Sequence, residues 1–168
     1  MAAVLNVRRR NEMFCLCVVL TTICAISTWV TAAPVDKATR DDLDSAVGSW
    51  ELIEHQFAGK KQDPSKTVVT LARDDEDDNR DDNYEIKVDG KVVEAGILDF
   101  DADVSPKAYN VTQYAKFNKP GVFRGIYKID GDKMTLCYNT NADAKRPSEF
   151  AAKEGSTNRL YVLKRIGK

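Results

Sequence analysis

Short runs that alternate apolar and polar side chains, with turn residues between them, fill the chain from about residue 49 to residue 165. No stretch there sustains a 3.6-residue period, so the runs read as strands rather than helices. The pattern predicts strands over 49–57, 67–73, 84–88, 91–98, 108–114, 122–129, 133–138 and 159–165. Eight short strands with hairpin-length links predict an all-β fold, an antiparallel up-and-down barrel. Closure is how a sheet of this size avoids exposed edges. The barrel domain is assigned to residues 44–168. Residues 33–43, small and charged, read as a linker running into one helical turn.

Two Asp-Gly pairs, at 89–90 and 130–131, have the composition of type I′ hairpin turns. A turn centred on 130–131 pairs Ile129 with Asp132, Tyr127 with Met134, Gly125 with Leu136 and Phe123 with Tyr138. Side chains alternate across a strand. Phe123, Tyr127, Ile129, Met134, Leu136 and Tyr138 therefore face inward, and Cys137 faces outward opposite Arg124. The same reasoning on the earlier hairpin points Ile86, Val88, Val93, Ala95 and Ile97 inward. It also sets Glu85 against Glu94 on the outer face.

The N-terminus changes the picture of where this barrel works. Arg8, Arg9 and Arg10 precede an uncharged apolar run from Met13 to Val30, followed by "VTAAP". That is the arrangement of a secretory signal over residues 1–32, with cleavage after Ala32. The run is also long enough for a membrane-spanning helix, so an uncleaved anchor is the alternative. Either way the remainder is expected to be exported, to the periplasm or beyond. Three of the four cysteines lie in this segment, and the mature chain keeps only Cys137, so no internal disulfide can form. Removing Arg8, Arg9, Arg10 and Glu12 leaves 22 basic and 25 acidic side chains, a formal charge of −3. Such a balance gives no electrostatic footprint for nucleic acid or anionic lipid. About 136 residues remain, enough for one domain, expected to be a monomer.

"GSW" at 48–50 opens the first strand and Arg165 closes the last. Together they resemble the Gly-x-Trp and late arginine of lipocalins and other calycins. "GSWELIEHQFAGK", "LDFDADVSPKAYNVT", "FRGIYKIDGDKMTLCYN", "KRPSEF" and "LYVLKR" further resemble an uncharacterised lipocalin-like domain family found largely in planctomycete bacteria. The resemblance runs from about Leu43 to Arg165 and departs mainly at the acidic "RDDEDDNRDDN". It implies a calycin-type barrel in which Arg165 lies over Trp50 where the first and last strands meet, with Arg159 as the other candidate. It implies no activity.

Chemistry is sparse. Cys137 has no second thiol to resolve it, and His55, the only histidine, belongs to another strand. No Gly-rich elbow supplies an oxyanion site, so a nucleophilic enzyme is not expected. The acidic run 74–82 lacks the central glycine and final glutamate of a calcium loop, and no Cys/His set suits zinc. No cofactor or metal is expected. In "KRPSEF", Pro147 breaks pairing, and Phe150 is expected to fold over one barrel end. Arg146 then stands at the mouth, facing the carboxylate or phosphate of a ligand. Tyr84, Tyr109, Tyr127 and Tyr138 are the candidate cavity lining. Two readings stay open: a barrel binding a small hydrophobic or amphipathic molecule, and a filled barrel serving as an envelope interaction module. A cavity of several hundred cubic ångströms points to the first and a filled core to the second.

Overall fold

The computed structural model describes residues 36–73, 81–114 and 121–167. The proposed signal segment and the acidic residues 74–80 lie outside them. One helix, α1 (Lys37–Ala46), precedes nine strands: β1 (Gly48–Phe57), β2 (Lys60–Gln62), β3 (Thr67–Arg73), β4 (Asp81–Val88), β5 (Lys91–Asp101), β6 (Ala108–Gln113), β7 (Val122–Asp130), β8 (Lys133–Asn139) and β9 (Asn158–Gly167). Each strand pairs antiparallel with the next, except that β3 follows β1 directly in the ring, and β9 returns to β1. The result is a closed barrel of eight strands. The short β2 is a flap hydrogen-bonded only to the far end of β1.

Residues 37–43, read from sequence as linker, are the first two turns of α1. Asp36 caps the helix, its Oδ1 accepting from the Thr39 amide at 2.9 Å. Thr39, Leu43 and Ala46, spaced three and four residues apart, form its buried face. This face closes one end of the barrel. Its anchors are largely polar, which is why a hydrophobic count alone does not reveal the helix. Thr39 Oγ1 accepts from the Ala102 amide at 3.0 Å. Asp42 accepts from Tyr127 Oη at 2.6 Å and from Lys107 Nζ at 2.7 Å.

The interior follows the period-two pattern, with Trp50, Leu71, Phe100, Tyr109, Tyr127, Met134 and Leu163 among its buried side chains. At Gly125 a side chain would collide with the Tyr109 ring, 2.3 Å from where a Cβ would stand, so only glycine leaves that ring its place. The β7–β8 turn is centred on Gly131 and Asp132, pairing Asp130 with Lys133, one residue further along than expected. Every cross-strand partner therefore moves by two residues: Tyr127 meets Leu136, and Cys137 meets Ile126 rather than Arg124. A shift of two preserves the faces.

A bulge does not preserve them. β5 slips by one between the Lys87–Val92 and Ile86–Glu94 pairs, leaving Val93 exposed. Beyond it Leu98 and Phe100 belong to the interior core, and Glu94 turns inward. Val93, Ala95 and Ile97 are therefore not inward residues. Glu85 pairs with Ala95, not Glu94, and makes an ion pair with Lys87 at 2.6 Å. A second bulge at Ile53 in β1 turns His55 and Phe57 toward the interior, opposite Tyr161 and Arg159.

The segment between β8 and β9 crosses the outside of the barrel. Phe150 and Ala152 pack there with Ile126, Cys137 and Leu160 in a second, small core. Phe150 thus covers the outer face and not a barrel end. Cys137 faces outward, yet this strap buries it completely.

Candidate functional site

The barrel has two unlike ends. At the helix end Arg165, on β9, pairs with Trp50 across the closure and lays its guanidinium carbon 4.0 Å from the indole centroid. Its Nη1 donates to the Val47 carbonyl at 2.8 Å and its Nη2 to that of Ser45, so it also ties down the last turn of α1. Trp50 Nε1 donates to Ala46 O at 2.8 Å. Helix, first strand and last strand meet at this point.

Among the described residues no helix covers the other end. Below it lies a cavity of about 30 Å³, walled by Tyr84, Tyr109, Tyr138 and Tyr161 with Val69, Leu98 and Leu136. This is room for one or two water molecules. Glu94 reaches the same space through the β5 bulge and accepts from Tyr84 Oη at 2.9 Å. Burial, then the neighbouring Glu94 charge, holds the Tyr84 phenol far above its ordinary range, so it stays a donor.

Above the cavity stand His55, Phe57, Tyr138, Arg159 and Tyr161. Arg159 Nη1 donates to the hydroxyls of Tyr138 and Tyr161 at 3.3 Å each. The guanidinium lies 5.3 Å from the Phe57 ring centre and 6.0 Å from that of Tyr138. His55 meets the Tyr161 ring edge to face at 4.8 Å. Burial, and then the Arg159 charge, hold its pKa below the ordinary histidine value. Two buried polar atoms here have no hydrogen-bond partner, His55 Nε2 and Arg159 Nε, and on β6, across the barrel, Gln113 Oε1 has none either.

Of the residues singled out in the sequence, Tyr84, Tyr109 and Tyr138 line the cavity together. Tyr127 does not join them. It belongs to the helix end, bonded to Asp42. Arg146 is not at the mouth either. It lies outside the barrel, donating to the carbonyls of Tyr109 and Gly125 and, at 3.0 Å, to Asn110 Oδ1. There it holds the strap to β6 and β7. The interior arginine is Arg159. His55, Glu94, Gln113, Arg159 and Tyr161 are additions that only the bulges and the closure register bring together. The alternation of Arg159, Tyr161, Leu163 and Arg165 along β9 was the available sign.

Cys137 Sγ donates toward the Ala151 carbonyl at 3.7 Å, and burial raises its pKa. Among the described residues no group of three His, Cys, Asp or Glu side chains is placed to hold a metal, and no helix is long and apolar enough to cross a membrane. No family model and no curated protein matches the chain.

Proposed function

We propose that this protein is an exported barrel of the cell envelope that binds a small amphipathic molecule at the open end. The observation that carries the reading is the pair of unpartnered polar atoms on adjoining strands, His55 Nε2 and Arg159 Nε, whose side chains meet the Tyr138 and Tyr161 side chains that wall the apolar and aromatic cavity. Buried polar atoms are ordinarily satisfied, and orphans on one side of a cavity are the places a ligand or bound water completes. An eight-stranded antiparallel barrel is consistent with the lipocalin-like family that the motifs resemble. Export rests on the arginine run, the apolar stretch and "VTAAP".

A cavity of about 30 Å³ is far below the roughly 300–1,000 Å³ of ordinary ligand pockets. A ligand's polar head therefore sits among Arg159, His55 and the two tyrosine hydroxyls. Its body either is small or displaces the Tyr138 or Tyr161 ring. The small volume also favours a second reading, a filled barrel acting as an interaction module in the envelope.

Native mass spectrometry of protein purified from its own envelope separates the two. A co-purifying small molecule, lost when Arg159 and Tyr161 are replaced together, supports binding. Ligand-free protein that instead co-purifies in a stoichiometric complex with another envelope protein supports the interaction module. N-terminal sequencing of the same material should begin at Ala33 or within a few residues of it. An intact cytosolic chain overturns export.

A further inference from the structure

We propose that the molecule taken at the open end is a small monocarboxylate, whose carboxylate supplies the counter-ion that Arg159 lacks. The inference rests on the binding reading above and names its chemical class.

Arg159 is an inward residue of β9, held between Phe57 on β1 and Tyr138 on β8 by its register with both strands. Charged side chains drawn into a barrel are normally paired, because an isolated buried charge is costly. Other arginines of this fold have carbonyl, amide or carboxylate acceptors. Arg165 has two helix carbonyls, with Asp132 3.7 Å away. Arg146 has two strand carbonyls and an amide oxygen. Arg73 has Asp44 at 2.6 Å. Arg159 has two phenol oxygens, both at 3.3 Å and both on the same nitrogen, and no carboxylate among the described residues. A guanidinium offers five N–H donors, and here the Nε is buried without an acceptor. The Nε–Nη2 edge is thus free for the two parallel bonds that a carboxylate accepts.

The same surroundings select the charge and the size of the ligand. Glu94 is already held by Tyr84, and its negative charge at the cavity opposes a second anionic group. With one unpaired cation and a neutral His55, a dianionic phosphate would keep an uncompensated charge in a low-dielectric site. A monoanion paired with Arg159 meets less of the Glu94 repulsion than a dianion does. The walls below are apolar and aromatic, and the cavity has a volume of about 30 Å³. The body of the acid is therefore one or two carbons, or a short chain or single ring that displaces the Tyr138 or Tyr161 ring. The Tyr161 hydroxyl, which accepts from Arg159, keeps its proton to donate to a carboxylate oxygen, while Tyr138 shares its own with Tyr161.

The test is calorimetric titration of the mature chain, residues 33–168, with hexanoate and benzoate, against hexanol, benzamide and phenyl phosphate. The acids should bind at least about tenfold more tightly than the neutral analogues, the scale of a charge-assisted pair. Arg159→Gln should abolish that preference, with Arg159→Lys in between. If Arg159→Gln does not fold, carboxyl-labelled benzoate on the wild-type protein gives the same answer. Its bound carboxyl group should titrate below its value in free solution. Equal affinity for acid and alcohol, or an unshifted carboxyl titration, overturns the monocarboxylate and leaves an amphipathic site standing. Preference for phenyl phosphate overturns it as well. No binding by any of the probes removes both readings.

Discussion

Cys137 shows how much a residue's neighbours decide. Its side chain leaves the barrel interior, yet the strap covers it with Phe150 and Ala152, beside Leu160 of β9. Burial raises its pKa, the opposite of what a nucleophile requires. A thiol reagent should therefore label the native protein slowly, and only as fast as the strap opens. Cys137→Ser should cost about 1–2 kcal/mol in denaturant unfolding, because it puts a hydroxyl into an apolar patch. That is more than the loss of less than about 0.5 kcal/mol expected of an exposed cysteine. His55 makes a pH prediction. Its folded pKa lies below the ordinary value of about 6.5, so between the two values the unfolded chain binds more protons than the native one. Its contribution is fully present above about pH 6.5 and is lost as pH falls below it. Chemical denaturation at a series of pH values should show stability declining from pH 7 to pH 5. In His55→Gln the decline over that window should be smaller.

At the scale of elements, the strands were legible because period-two alternation and the Asp-Gly pairs depend on local chemistry. The Asp89-Gly90 turn has positive φ at both residues, +49° and +76°, as its composition requires. Three things were not legible. A turn one residue out of place at Gly131-Asp132 altered partners without altering faces. The bulges at Ile53 and Val93 altered faces. Both residues are apolar, and nothing in "LIEH" or "KVVEAG" marks which side chain is skipped, because the skip is set by the neighbouring strands. Those bulges bring His55 and Glu94 to the site, so most of the site was hidden with them. The helix was hidden for another reason, since its hold on the barrel is through Asp42 and Thr39. Asp42→Ala leaves the Tyr127 hydroxyl and the Lys107 ammonium without their acceptor. It should lower unfolding free energy by about 1–3 kcal/mol, with the first loss of amide-exchange protection in α1. Equal protection of α1 in the variant and the parent would show that the helix is held by its apolar face alone.

For the whole molecule, closure is the organising fact. Trp50 and Arg165 were paired from the motif resemblance, and the structure sets them in contact, with the helix bonded to the same arginine. A double-mutant cycle of Trp50→Phe with Arg165→Lys isolates the ring contact. Its coupling energy should be about 0.5–2 kcal/mol. A value near zero would mean that the arginine acts only through the Val47 and Ser45 carbonyls. Closure by the helix at one end sets Arg159 at the opposite end, the end for which small-molecule binding is proposed.

The pairing of β9 with β1 bears on time as well as on shape. The two strands of that seam lie at opposite ends of the domain, and Arg165 bonds to Val47, 118 residues earlier. The ring cannot close until the final strand has been made, and contacts of such long sequence separation slow folding, toward milliseconds to seconds for barrels of this type. The last strand to be synthesised is therefore the one that completes the fold, and until it is made the seam edge of β1 has no partner in β9.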